Sequence, residues 1–118
     1  MADEQLLDIL MRGHDIWNVW RKEHRDIRLD LSEVDLSKAN LVSANLRRAN
    51  LIGANLSEAN IRSADLSEAN LNEANLRNVG FDHAILTNTN LSETDLSEAN
   101  LRKANLSGAN LRKATRAI

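Results

Sequence analysis

Apolar and polar residues alternate along this chain in two different rhythms. From Leu29 to Leu111 the apolar positions advance in alternating steps of two and three. Ala39-Asn40-Leu41 is followed by Ala44-Asn45-Leu46 and Ala49-Asn50-Leu51, and the register holds to Ala109-Asn110-Leu111. Between residues 3 and 24 the rhythm is helical, with Leu6, Ile9, Leu10, Gly13, Ile16, Trp17 and Trp20 recurring on one face. An internal repeat as strict as the first rhythm outranks local signals and is read before them.

The large residue of each five is taken as its centre. Seventeen centres run from Leu31 to Leu111, all Leu except Ile61 and Phe81. Two residues before each centre stands a small one, usually Ala, with Leu29, Val34, Val79, Thr89 and Thr94 as departures. Directly before the centre stands Asn or Asp, broken only at Gly80 and Ile85. The two positions after the centre are polar and varied, apart from Val42, Ile52, Gly53 and Gly108.

Neither simple backbone suits this spacing. At roughly 100° per residue, a helix would spread the apolar positions around its whole circumference. A flat strand keeps its face after a step of two and reverses it after a step of three. The pattern becomes consistent if the chain turns a corner once per five residues. Small residues and centres then point inward on every side, and Asn or Asp sits beside the bend, where its side chain can bond nearby backbone. Successive coils would stack at about 4.8 Å and pair their backbones, which predicts a solenoid whose units touch only their neighbours.

The repeated unit Ala-(Asn/Asp)-Leu-x-x resembles the pentapeptide-repeat family, and the likeness covers about three quarters of the chain. The resemblance implies an all-β solenoid, a right-handed, four-sided β-helix with four fives per coil. Residues twenty apart would then stack, giving just over four coils and a rod roughly 20 Å long. Leu41, Ile61, Phe81 and Leu101 should form one inward stack.

The expected organisation is a short α-helical cap over residues 1–26 and the β-helix over 27–118. Asp3 is a candidate N-cap, and Gly13-His14-Asp15 can divide the helical segment, with Gly13 closing one helix and Asp15 capping the next. A β-helix exposes core and unpaired edges at its ends, which terminal caps remedy. Trp17 and Trp20 are therefore expected to lid the first coil over Leu31, Val34 and Leu36. A partner-docking helix is the competing reading; a membrane-surface helix would need a basic polar face, whereas Arg12, Arg21 and Lys22 are balanced by Asp8, Asp15 and Glu23. Ile27-Arg28-Leu29-Asp30-Leu31 alternates like a strand entering the first coil.

The repeat falters once, at Asn78-Val79-Gly80-Phe81-Asp82-His83-Ala84-Ile85. The steric reading is that Phe81 needs more room than Leu and Gly80 relieves crowding at the bend. The functional reading is a bulge that displays His83 and Ile85 to a partner. At the other end the pattern dies at Arg116, and only Ala114, Ala117 and Ile118 are available to cover the last coil.

Composition adds mainly exclusions. Cysteine is absent, which removes disulfides, thiolate nucleophiles and Cys-based zinc sites. Nothing reaches a membrane-spanning length, and Met1-Ala2-Asp3-Glu4-Gln5 lacks the basic start of a secretory signal. The expectation is a cytoplasmic protein without a membrane partner. His14, His24 and His83 are dispersed without ligand spacing. Ser32, Ser37, Ser57, Ser67, Ser92, Ser97 and Ser107 all follow a centre as repeat slots, with no base beside them. No phosphate-binding glycine loop occurs. No enzyme activity, cofactor or metal is expected.

Sorting the outward positions by twenty gives four sides. Glu33, Glu73 and Glu93 mark one, Glu58 and Glu98 the next, Arg62, Asp82, Arg102 and Lys103 the third, and Arg47 and Arg48 the fourth. The functional expectation is a non-catalytic, structural protein-interaction module. Its candidate surface is Arg47, Arg48, Arg62, Arg102 and Lys103 with His83 and Ile85, and Trp17, Trp20 and Phe81 are structural. The partner class is an unidentified protein rather than nucleic acid. The resemblance supplies an alternative, a DNA mimic acting on a type II topoisomerase. DNA carries one charge per about 1.7 Å, so a rod of about 20 Å would need on the order of a dozen net negatives. From residue 29 onward eleven acids face ten Lys/Arg, and the C-terminal dimerisation helix of the family's mimics is missing. A homodimer through the C-terminal end is a further expectation, because a two-fold contact there would leave no free edge.

Overall fold

The structure, a computed structural model, describes residues 3–116. Met1, Ala2, Ala117 and Ile118, on which part of the cap and coil expectations fell, lie outside the described residues. Two helices precede the repeat, α1 (Glu4–Leu10) and α2 (His14–Glu23). Asp3 caps α1 as expected, accepting from the Gln5 N–H at 2.9 Å. Gly13 donates its N–H to the Leu10 carbonyl at 3.3 Å, just past the Met11 C-cap of α1, and is also the N-cap of α2, at φ 105°; Asp15 lies in the first turn of that helix instead of capping it. Only glycine adopts such a backbone without strain, which fits its place at the break.

From Asp30 onward the chain winds into coils of twenty residues. Parallel bridges join Asp30 to Asn50, Asp35 to Asn55, Asn40 to Asn60 and Asn45 to Asp65, and continue in the same step to Asp95 and Thr115. Each coil carries four turns, one per five residues, so it has four sides. A side is only three residues long between turns, and a single residue on it pairs through both N–H and C=O. That is why the described coils hold bridges rather than continuous strands.

One unit shows how completely the backbone is committed. The Ala59 N–H closes its turn on the Leu56 carbonyl at 3.0 Å, while Asn60 N–H donates back to Ala39 at 2.9 Å. Ile61 and Ser63 N–H donate forward to the Gly80 and Asp82 carbonyls at 2.8 and 3.0 Å. The fifth donor, Arg62 N–H, points along no neighbouring coil, and the Asn60 Oδ1 takes it at 3.2 Å. This is the physical reason for the Asn/Asp slot: its side chain accepts the one N–H that stacking leaves over. Serine after the centre adds a hydroxyl donor to the same oxygen, as in Ser67 to Asp65 at 2.7 Å.

The turns ask more of the chain than the sequence declares. In every five the second residue after the centre is left-handed, fifteen times a non-glycine, among them Glu58 at φ 60° and Glu68 at φ 61°. Gly53 and Gly108 occupy the same slot at φ 69° and 73°. For an L-residue this conformation costs roughly 1–2 kcal/mol, and the closed hydrogen-bond pattern on both sides holds it in place.

Inside, the centres and small residues form one core. Leu41, Ile61 and Phe81 are buried in one stack, and Leu101, the fourth member, is half-buried near the open end. The two threonines in small slots satisfy their hydroxyls on carbonyls, Thr89 on Leu66 and Thr94 on Leu91, both at 2.8 Å. The 78–85 segment is no bulge. Gly80 bridges Asn60 and Asn100, and Ile85 bridges Asp65 and Asn105, in unbroken register. Nor does Gly80 relieve crowding, since a Cβ there would meet nothing nearer than 3.7 Å. Its effect is to remove the side-chain acceptor that Asn or Asp supplies elsewhere.

Candidate functional site

The cap docks through polar side chains as much as through its apolar face. On α2, Trp17 and Arg21 are buried while Ile16 is 50% exposed, so Ile16 leaves the face assigned to it by spacing. Trp17 Nε1 donates to the Asn45 carbonyl at 2.7 Å. Asn18 accepts from the Asn45 N–H at 2.8 Å and donates to the Ser43 carbonyl at 2.9 Å. Arg21 Nη2 donates to the Arg47 carbonyl at 3.2 Å. These bonds fall on the later half of the first coil rather than on Leu31, Val34 and Leu36. Trp20 is half-buried and stacks between Trp17, at 5.3 Å, and His24, at 4.5 Å, so it braces the cap while packing against the edge of the core.

Docking in this way builds a basic junction. Asn18, Arg21, Lys22, Arg25, Asn45, Arg47 and Arg48 line a cleft of about 520 Å³ between α2 and the fourth side. Arg47 and Arg48 are the surface candidates of the sequence; Arg21 and Lys22 are read there as balanced helix charges, and Arg25 is not singled out. Spacing on the helix did carry a signal, because Arg21 follows Trp17 by one turn and therefore shares its inward face.

The third side gathers most of the remaining expected residues. Arg62, Asp82, His83, Asn100, Arg102 and Lys103 line a shallow depression of about 200 Å³. Ile85 is 40% exposed but belongs to the next bend, outside that depression. The charge is less polarised than sorting by side suggests. Arg62 pairs with Asp82 at 3.1 Å, and Arg47 and Arg48 reach Glu68, one coil on, at 3.8 and 3.7 Å. Arg62 and Arg48 each lean on an acid twenty residues away, an arrangement that linear reading does not display.

Carboxylates in the bend slot are tuned by the repeat itself. Hydroxyl and backbone donors of Ser37 hold the Asp35 carboxyl below its ordinary value. The Ser97 hydroxyl and N–H do the same for Asp95, with Arg77 adding to them. Both are structural acceptors. Among the described residues no group of three or more His, Cys, Asp or Glu is placed to hold a metal, and no helix is long and apolar enough to cross a membrane.

These features define a class: a solenoid of four-sided, twenty-residue coils whose interior is filled and whose chemistry is all on the outside. The family profile of pentapeptide repeats matches residues 30–67, 54–92 and 81–115, in eight copies. The chain belongs to the pentapeptide-repeat family. No curated protein matches it in sequence. Among solved structures it is similar to the pentapeptide repeat protein Rfr23 from the cyanobacterium Cyanothece 51142, at 36% identity and TM-score 0.73, over 75% of this chain and 60% of that one. HetL, a pentapeptide repeat protein involved in heterocyst differentiation regulation from Nostoc sp. strain PCC 7120, matches at 28% identity and TM-score 0.36, over 75% and 62%. QnrB1, a plasmid-mediated fluoroquinolone resistance protein, matches at 20% identity and TM-score 0.36, over 72% and 49%. The chain thus spans about 60% of the length of the first two structures it matches.

Proposed function

We propose that this chain is a non-catalytic interaction module that offers the third side of a right-handed β-helical rod to an acidic protein surface. One observation carries the reading. Interior positions are filled by apolar side chains and the inner backbone donors are committed to neighbouring coils, so the sequence varies freely only in the outward residues of each bend. On the third side Arg102 and Lys103 are exposed and make no ion pair among the described residues, beside the paired Arg62 and Asp82. Such cations suit a rim that steers a partner of opposite sign. The near balance of acids and bases along the coils speaks against DNA mimicry, and purified protein is expected to leave gyrase supercoiling uninhibited.

The test is photo-crosslinking in extract of the source cell, identification of the crosslinked protein, and titration of that purified protein. Binding should fall at least about tenfold with Arg102→Glu/Lys103→Glu. Glu33→Lys/Glu73→Lys on the first side should leave it unchanged. Equal binding by all three proteins would remove the third side from consideration.

A second reading has its own observation. In the last coil the N–H groups of Leu101, Lys103, Leu106, Gly108, Leu111 and Lys113 have no partner among the described residues, and Leu111 is 42% exposed. A second copy placed end to end would cover this edge and close on itself by two-fold symmetry. Sedimentation at micromolar concentration, with and without residues 112–118, reads the outcome, and a monomer in both forms would rule it out.

A further inference from the structure

Cations crowd the junction, and among the described residues only those of the first coil lean on acids there, Arg47 on Asp65 and Glu68 and Arg48 on Glu68. Arg21, Lys22, Arg25 and Arg28 leave the end of α2 and the segment after it, and Arg47 and Arg48 face them from the first coil. Among the described residues, the cleft of about 520 Å³ is lined by five cations and no acid. A second cleft of about 360 Å³ shares Arg21, Arg25, Arg47 and Arg48 with it and adds Arg28 and a single acid, Asp26. The side chains of Lys22, Arg25 and Arg28 make no ion pair or hydrogen bond among the described residues.

Arg21 is the centre of the cluster. It is 7% exposed and pairs with no carboxylate among the described residues. Nη1 and Nη2 donate to the carbonyls of His24 and Arg47, each at 3.2 Å. Its Nε is the one buried side-chain nitrogen or oxygen among the described residues that has no hydrogen-bond partner. Burial first, and the facing Arg47 second, lower its pKa. Capping the coil accounts for two nitrogens of this guanidinium. It accounts neither for the free Nε nor for the like charges drawn up beside it, since buried polar groups are ordinarily paired and buried charges compensated.

We propose that this cleft binds a small soluble compound carrying a diphosphate group, held between Arg21, Lys22 and Arg25 on one wall and Arg47 and Arg48 on the other. Guanidinium forks match phosphoryl oxygens in pairs. A diphosphate brings enough negative charge to answer several cations at once, which a single carboxylate does not. Arg21, anchored by two backbone carbonyls, is pre-organised, so little side-chain entropy is lost when the anion arrives. Bound to the folded cap and the first coil together, such an anion also ties the two to each other.

Calorimetric titration of the whole chain with inorganic pyrophosphate, at ionic strength held constant with sodium chloride, tests the site. Pyrophosphate should bind with a Kd below about 100 μM, and orthophosphate at least about tenfold more weakly. Lys22→Gln/Arg25→Gln alters only exposed side chains and should cost at least about tenfold in pyrophosphate affinity. Arg102→Gln/Lys103→Gln removes the same charge on the third side and should leave affinity unchanged. Arg21→Lys keeps the charge but loses the fork and its bonds to the His24 and Arg47 carbonyls, and should weaken binding in protein whose circular dichroism matches the parent. Absence of binding at millimolar pyrophosphate, or equal losses in the junction and third-side variants, would overturn the proposal.

Discussion

The first and last described coils have nearly the same sequence and opposite fates. In the first, Leu31, Leu36, Leu41 and Leu46 are as buried as any centre in the middle of the rod. In the last, Leu101 and Leu106 are half-buried and Leu111 is exposed. The difference is the cap. Trp17, Asn18 and Arg21 place side-chain donors and acceptors on Asn45 and Arg47, where a preceding coil would have placed backbone, and Asn18 adds a bond to the Ser43 carbonyl. A repeat thus gains burial from what lies next to it, not from its own residues, as expected of a chain whose units contact only neighbours. The helices substitute for a coil by mimicking its hydrogen bonds, and Arg21 does so at the expense of bringing a charge inside.

The sharpest way to break this comparison is to remove the cap's anchor. Trp17→Ala should cost about 3–5 kcal/mol, because it leaves both a cavity and an unpaired Asn45 carbonyl; a smaller loss, read by urea denaturation, would mean that the first coil is self-sufficient. Next comes position along the rod. Leu66→Ala should cost about 2–5 kcal/mol, whereas Leu111→Ala, at an exposed centre, should cost less than about 1 kcal/mol. Equal losses would show that the last coil is covered in solution.

The turns give a smaller and independent effect. Replacing Glu58, exposed and left-handed at φ 60°, by Val should cost about 1–2 kcal/mol, while Asn, which tolerates that backbone, should stay within about 0.5 kcal/mol of the parent. Outward slots are therefore not all neutral: the first residue of the bend accepts most side chains, and the second discriminates by backbone.

The smallest effect concerns acid. Asp35 and Asp95 titrate below their ordinary value because serine donors bond the ionised carboxylates. A folded pKa lower than the unfolded one contributes stability above the unfolded value, about 3.9, that is lost as pH falls through the folded value. Asp35→Asn/Asp95→Asn keeps the acceptors and removes the titration. Thermal midpoints of this variant should decline less than those of the parent as pH falls below about 4. Parallel declines would show that other carboxylates govern acid unfolding.

How much could be read beforehand differs from residue to residue. The inward stack of Leu41, Ile61 and Phe81, the bend position of Asn60 and the helical segment ahead of the coils were all legible, because period and slot chemistry recur often enough to cancel local noise. The left-handed bends at Glu58 and Glu68 were not, since Glu carries no signature of that backbone and adopts it only under closure from both sides. Gly80 invited a steric explanation that the surrounding space does not support. Arg21 looked like one more balanced helix charge, and its acids lie elsewhere.

What the sequence determined alone is the unit: five residues, two inward, one accepting the spare N–H and two outward. Translation by twenty residues then follows from stacking like on like. Which cation meets which acid across coils, and which helix face closes the first coil, were decided only by tertiary structure. Those contacts join residues that the chain separates by eighteen to twenty-eight positions, as Arg47 to Asp65 and Trp17 to Asn45. No local propensity reaches that far; burial and the need to pair every enclosed polar group do.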